Sequence, residues 1–155
     1  MLSSSAYKSV TLQVIECNLD DMSPELFPHL LDELFKHGAL DAWIIPIVMK
    51  GGRPAQLVSA LCRNESVERL CSVLFQETTT LGLRISEVQR FELERSFVEV
   101  ETEFGRIPVK IGSTVDGKTL NAAPEYKICK DIADSQGIPL KKVFEVALLA
   151  FNKSK

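Results

Sequence analysis

An α+β chain of two units is what this sequence predicts, and three observations carry the prediction. Through Gln89 the apolar spacing switches between strand and helix in the order strand, helix, strand, strand, helix, strand. Pro46 falls inside the second strand, where its missing N–H demands a sheet edge or a bulge. After Arg90 the pattern changes to a hairpin followed by two helical stripes.

The first strand, Thr11 to Asn18, has apolar residues on both faces (Leu12 and Val14; Ile15 and Cys17), which suits a central position. Ser23 is suited to cap the following helix, and Pro24 to its first position, where the absent N–H would have been an orphan. Leu26, Phe27, Leu30, Leu31, Leu34 and Phe35 form the apolar stripe of that helix. Gly38 ends it, where a left-handed residue is wanted. Ala42 to Lys50 is the second strand, Gly51-Gly52-Arg53-Pro54 a tight turn, and Gln56 to Cys62 the third strand, paired with the second as a hairpin. Asn64 is expected to cap a helix with Val67, Leu70, Cys71, Leu74 and Phe75 on one face, and Leu83 to Gln89 closes the set. This β-α-β-β-α-β order is the ferredoxin-like arrangement, with two helices on one face of an antiparallel sheet and the second strand at an edge.

The remainder reads as a smaller α+β unit, a β-hairpin plus two helices. Phe97 to Thr102 and Ile107 to Ile111 alternate as strands around Gly105. Val115-Asp116-Gly117-Lys118 is a turn. Pro124 is expected to open a helix with Ile128, Cys129, Ile132 and Ala133 inside, ended by Gly137. Pro139 opens the last helix, with Leu140, Val143, Phe144, Ala147, Leu148 and Phe151 inside. The division expected is 10–89 for the ferredoxin-like unit and 90–152 for the smaller one, packed on it.

Hydrophobic residues make up 45% of the chain and charged residues 25%, a balance that supports a packed core. No apolar run approaches the roughly 20 residues that span a bilayer, so no membrane partner is expected. Met1 to Lys8 has serines without a long apolar core and does not read as a secretory signal; a transit-peptide remnant is the alternative. The net charge of −3 argues against a nucleic-acid polymer as partner, although one small phosphate pocket needs only local cations. Cys17, Cys62, Cys71 and Cys129 form no C-x-x-C pair and read as buried reduced thiols of an intracellular protein rather than as disulfides or a zinc site; the cytoplasm is the location expected, an organelle the other option.

Several stretches can carry chemistry. Asp20 and Asp21 lie between a strand end and a helix start; they either complement the helix dipole or hold Mg²⁺ or Mn²⁺ together with a phosphate ligand. Lys50-Gly51-Gly52-Arg53-Pro54 is a solvated turn or a phosphate cradle of backbone N–H groups and two cations. It lacks the Gly-Lys-Ser/Thr and following helix of a Walker A loop. Glu77-Thr78-Thr79-Thr80-Leu81-Gly82-Leu83-Arg84 offers hydroxyls, a glycine and an arginine, equally able to finish a helix or to bind phosphate. Lys110 and Lys118 are further cations, and Glu125 and Tyr126 stand at an expected helix start, where an anion can bind. His29 and His37 are not at i, i+4 spacing, so a nickel or zinc site built from this chain alone is not expected.

Taken in order, these stretches resemble a known family. Glu16-Cys17-Asn18-Leu19-Asp20-Asp21-Met22-Ser23-Pro24-Glu25 resembles E-x-N-(I/L)-D-D-M-x-P-E. Gly38-Ala39-Leu40-Asp41-Ala42-Trp43, then Pro46 and Met49-Lys50-Gly51-Gly52-Arg53-Pro54, resembles G-A-L-D-V-W…P…M-K-K-G-R-P. Glu77 to Arg84 is similar to E-T-(S/T)-(T/S)-(I/L)-G-x-R, Gly105 to Lys110 to G-x-(V/I)-x-V-K, and Ala123-Pro124-Glu125-Tyr126 to A-P-E-Y. The family is LarC, the pyridinium bisthiocarboxylate mononucleotide nickel insertion proteins, and the matches fall in its C-terminal domain. Gly51 departs from the pattern by replacing the second lysine of M-K-K.

The resemblance implies part of a CTP-dependent nickel chelatase, a cyclometallase of the lyase class. CTP with Mg²⁺ or Mn²⁺ would bind here, nickel would be the transferred ion, and the nickel-pincer cofactor precursor would be a partner. The family's N-terminal region, with its own metal-binding stretches, is not among these residues, so competence of this chain alone is not expected. On electrostatic grounds Lys50, Arg53, Arg84 and Lys110 are expected to face the triphosphate of such a ligand, with Thr80, Glu125 and Tyr126 as further nucleotide contacts, and Asp20 or Asp21 to hold the divalent ion. Self-association as a trimer or hexamer is expected from the family and from the edge strand Trp43 to Met49. The alternative is a non-catalytic ferredoxin-like oligomerisation or small-ligand-sensing module, since fold does not fix function. Convergence of Asp20, Asp21, Lys50, Arg53, Arg84 and Lys110 distinguishes the two.

Overall fold

The computed structural model describes residues 6–153, so the first part of the serine-rich start, residues 1–5, lies outside the described residues. The chain divides into two compact units, Val10–Arg90 and the remainder.

The first unit is the expected β-α-β-β-α-β order: β1 (Lys8–Leu19), α1 (Phe27–Lys36), β2 (Ala39–Met49), β3 (Arg53–Cys62), α2 (Val67–Glu77) and β4 (Arg84–Glu92). The sheet runs β2-β3-β1-β4, with β3 antiparallel to both of its neighbours. β2 is therefore an edge strand, and Pro46 sits on it opposite Gln56. Ile15, Cys17 and Leu19 of β1 and Val58, Ala60 and Cys62 of β3 are buried against Leu30 and Leu34 of α1 and Leu70 and Leu74 of α2. Because side chains alternate along a strand, Glu16 and Asn18 of β1 and Ser59 of β3 are left for the other face.

The helix starts differ from expectation. Ser23 and Asn64 make no side-chain cap; a short 3₁₀ turn, Pro24–Leu26 or Asn64–Ser66, precedes each helix, and its backbone bonds satisfy the first donors. Pro24 does take the first position of its turn. Gly38 has φ +102°, and a Cβ there would stand 2.9 Å from the Ser66 Oγ, so both handedness and space favour glycine.

The second unit holds β5 (Glu94–Thr102), β6 (Gly105–Ser113), β7 (Thr119–Pro124), α3 (Tyr126–Gln136) and α4 (Leu140–Lys153). The hairpin is extended by β7 into a β5-β6-β7 sheet. Pro124 closes β7, paired with Val109, and does not open α3. The physical reason is local: β7 is an edge strand, where a proline costs no ladder bond, and the Glu125 N–H donates to the Pro108 carbonyl at 2.8 Å before the helix begins. Val100, Ile107, Val109 and Ile111 pack with Cys129, Ala133, Val143, Ala147 and Phe151 as the core of this unit.

Cys17, Cys62 and Cys129 are buried and Cys71 is half-buried, all as free thiols. Burial pushes the Cys17 thiol up to about 11, against the opposing pull of the Arg84 charge and a hydrogen bond with Thr80.

Two outcomes follow from this packing. Leu30→Ala removes a fully buried side chain and should lower the unfolding free energy by about 2–5 kcal/mol, whereas Val48→Ala, at a position 75% exposed, should change it by less than about 0.5 kcal/mol. Urea unfolding followed at Trp43, the single tryptophan, measures both. The raised Cys17 pKa means that the folded state holds its proton longer than the unfolded chain does. Its contribution is full below the ordinary thiol value of 9.0 and is lost as the pH rises through about 11. Wild-type stability should accordingly fall faster than that of Cys17→Ala between those values, as measured by unfolding at a series of alkaline pH values.

Candidate functional site

Three of the stretches singled out by the sequence meet through their side chains in the Val10–Arg90 unit. The end of β1 supplies the acids, the β2–β3 tip supplies one arginine, and the α2–β4 loop supplies hydroxyls and a second arginine. The Arg53 Nη1 donates to the Asp20 Oδ2 at 3.0 Å. The Thr79 hydroxyl donates to the Asp21 Oδ1 at 2.5 Å. The Arg84 Nη2 donates to the Asn18 Oδ1 at 2.7 Å, with its Nε 3.9 Å from the Glu16 Oε2. The other Glu16 oxygen accepts from the fully buried Ser59 hydroxyl at 3.1 Å.

Local structure explains these positions. β2 and β3 stay paired up to Met49 opposite Arg53, so the tip is short. Gly51 and Gly52 turn it with φ of +74° and +72°. Lys50 and Arg53 flank these glycines, both exposed. In the α2–β4 loop the Thr78 hydroxyl donates to the Leu74 carbonyl, the Thr80 N–H to the Thr78 hydroxyl at 3.2 Å, and the Thr80 hydroxyl to the Gly82 carbonyl at 2.9 Å. The loop is thereby shaped by its own side chains, presenting Thr79 to Asp21 and leaving Leu81 fully exposed.

Of the residues named from the sequence, Asp20 and Arg53 are brought into direct contact, Asp21 bonds a hydroxyl of the Glu77 to Arg84 stretch, Thr79, and Arg84 meets two residues given no individual role there, Asn18 and Glu16. The signal for Glu16 and Asn18 was available, since they are spaced by two on β1 and share a strand face that leads to Asp20 just beyond the strand end. Thr80 lies in the loop, its hydroxyl turned to Gly82 and to the Cys17 thiol. Lys110, Glu125 and Tyr126 belong to the other unit. Lys110 is exposed on β6, in register between Phe97 of β5 and Ala123 of β7. Glu125 precedes α3 and its carbonyl accepts from the Cys129 N–H at 3.1 Å. Tyr126 opens α3 with its ring 6.5 Å from that of Phe144.

The arrangement pairs oppositely charged groups at the surface. Arg53 is 69% exposed and Asp20 23%, so their ion pair is open to competition from water and from other ions. Two adjacent carboxylates are hard oxygen donors, suited to Mg²⁺ or Mn²⁺ but too few to complete a shell. Among the described residues no group of three or more His, Cys, Asp or Glu side chains is placed to hold a metal ion. His29 instead lies 3.2 Å from Glu77. No helix among them is long and apolar enough to cross a membrane.

Comparison with known proteins gives this geometry a context. The family model described as nickel insertion protein matches residues 1–144. The pyridinium-3,5-bisthiocarboxylic acid mononucleotide nickel insertion protein of Thermotoga petrophila is 44% identical over 131 residues, which cover 84% of this chain and 33% of that protein. The protein of the same name from Acetivibrio thermocellus is 41% identical over 143 residues, 90% of this chain and 35% of that one. The chain thus spans about a third of the length of the curated relatives it matches. Among solved structures, LarC2, the C-terminal domain of a cyclometallase involved in the synthesis of the NPN cofactor of lactate racemase, superposes with a TM-score of 0.87 at 33% identity. The match covers 94% of this chain and 99% of LarC2. Protein MK0293 from Methanopyrus kandleri, at 22% identity and a TM-score of 0.70 over 92% of this chain and 89% of its own, shares the fold. On the family match, on identities above two-fifths to curated relatives and on near-complete coverage of LarC2, this chain belongs to the nickel insertion protein family.

Proposed function

We propose that this chain is the CTP- and divalent-metal-binding domain of a nickel-insertion protein that completes a nickel-pincer nucleotide cofactor. The observation that carries the reading is the meeting of three separate motif stretches through Asp20–Arg53, Asp21–Thr79 and Arg84–Asn18. A purely structural surface has no need to bring a strand end, a hairpin tip and a helix-exit loop together through charged and hydroxyl groups.

In this reading Arg53 and Lys50 grip the triphosphate from the tip, Arg84 and Thr80 from the loop, and Asp20 with Asp21 supplies carboxylate oxygens to the Mg²⁺ or Mn²⁺ that travels with it. Lys110, Glu125 and Tyr126 carry the same proposal for nucleotide contact on their motifs alone. The divalent ion, when bound, neutralises phosphate charge and fixes the phosphate oxygens. The chain's own cations orient the triphosphate and reduce its repulsion of an anionic cofactor precursor. Nickel is cargo, and its passage to the precursor involves the longer protein of which the relatives are examples. Localisation in the cytoplasm and assembly into trimers or hexamers belong to the same proposal; the β2 edge strand offers an unpaired ladder side for association.

Two measurements test it. Arg53→Ala should weaken binding of CTP with Mn²⁺ about tenfold or more, since a charge-assisted hydrogen bond contributes about 1.5–3 kcal/mol. Lys50→Ala should weaken it in the same direction, and the exposed Lys153→Ala should leave it unchanged. Melting temperature without ligand should be the same in all four proteins, and CTP affinity unchanged in both site variants returns the tip to an ordinary solvated turn. Sedimentation at micromolar concentration should give a species larger than one chain; a monomer alone removes the assembly from the proposal.

A further inference from the structure

The two groups proposed to take opposite halves of a metal–triphosphate complex are bonded to each other. The Asp20 carboxylate, proposed for the cation, accepts from the Arg53 guanidinium, proposed for the phosphates, at 3.0 Å. Neither can serve its ligand fully while it serves the other. We infer that the Asp20–Arg53 ion pair is a latch that makes the metal–triphosphate complex, taken as one unit, the preferred ligand over either the free triphosphate or the free cation. This inference rests on the site reading above and adds the coupling between its two halves.

The physical argument is one of competition. Free triphosphate meets an Arg53 already neutralised by Asp20, and carboxylates that repel its own negative charge. A free divalent cation meets an Asp20 already neutralised by Arg53. When both arrive together, Asp20 turns to the cation, Arg53 turns to a phosphate oxygen, and one internal pair is exchanged for two external ones. The pair is well placed for such an exchange. Arg53 is 69% exposed and lies at a glycine tip, so its side chain can swing without disturbing the core. An exposed pair of this kind is weak, at most about fivefold in an equilibrium constant, so ligand contacts can overcome it. Arg84 differs: it is held by the neutral Asn18 amide, with the Glu16 carboxylate 3.9 Å away, and its charge is less fully cancelled. Arg84 therefore offers a standing attraction for phosphate, while Arg53 is released by the cation. Such linkage is reciprocal: the triphosphate raises affinity for the cation by the factor by which the cation raises affinity for the triphosphate.

A double-mutant cycle on the whole chain tests the latch, with CTP affinity measured by calorimetry for wild type, Asp20→Asn, Arg53→Gln and the double variant, each in EDTA and in Mn²⁺. In EDTA, Asp20→Asn should bind CTP about threefold more tightly than wild type, because Arg53 is set free. In the Arg53→Gln background the same substitution should give little gain. In Mn²⁺, Asp20→Asn should lose most of the enhancement that the cation gives to wild type. An equal gain in both backgrounds means that Asp20 only repels the triphosphate, and no gain in either means that the pair does not restrain Arg53; both results overturn the latch. They leave the site reading standing if Arg53→Gln still weakens binding of CTP with Mn²⁺. If Arg53→Gln binds as wild type does under both conditions, the site reading falls and the latch with it. Unchanged melting temperatures across the four proteins show that each variant is folded.

Discussion

The two-sidedness of β1 is the constraint from which the rest of the Val10–Arg90 unit follows. Every second residue of this central strand must be apolar and lie beneath the helices, and Ile15, Cys17 and Leu19 meet that demand with almost no exposure. The intervening positions are then committed to the opposite face, and there the sequence places Glu16 and Asn18, with Asp20 just beyond the strand end. A one-residue slip would bury a carboxylate without a partner and expose the core, a cost of several kcal/mol that fixes the register against β3. The same alternation that stabilises the core thus delivers three polar side chains to one row.

That row is satisfied by residues far away in sequence, and the partners differ in character. Ser59, buried on β3, binds Glu16 from within the sheet, and no buried side-chain polar atom among the described residues is left without a hydrogen bond. Arg53 and Arg84 reach the row from exposed positions at the tip and the start of β4. Their contacts add little to folding stability, since exposed ion pairs contribute about 0–1 kcal/mol. Core packing holds the sheet together, and the cations are placed on it by the tip and the loop. The stability and the ligand chemistry of this unit therefore reside in largely separate side chains, the exception being Cys17, which is buried in the core and also feels Thr80 and Arg84.

Much of this was legible in the sequence, for identifiable reasons. The β-α-β-β-α-β order came from periodicity, and the edge position of β2 from the single fact that Pro46 has no N–H. The helix starts were misread because Ser23 and Asn64 have the right side chains for caps while the chain uses 3₁₀ turns, a choice of backbone geometry that composition does not reveal. β7 was missed because Thr119 to Pro124 is short and rich in small residues, with too little alternation to signal a strand; it exists because β6 offers it a partner. At the site, the residue types were apparent and the pairing was not. Asp20 and Arg53 are separated by 33 positions, and only the fold decides that an acid drawn toward a helix start instead meets a guanidinium.

The hairpin tip has a property that concerns chirality rather than charge. Gly51 and Gly52 are successive residues with φ near +70°, and around both of them the space where a Cβ would stand is empty for 4 Å. Ordinary side chains are kept out of these positions by the handedness of the backbone and not by any neighbour. A mirror-image alanine would occupy the same torsion angles at ease, and would remove much of the freedom that glycine has in the unfolded chain. Semisynthesis with D-alanine at either position would yield a stiffer tip with the cations where they now stand, separating what the loop gains from its shape from what it gains from its mobility.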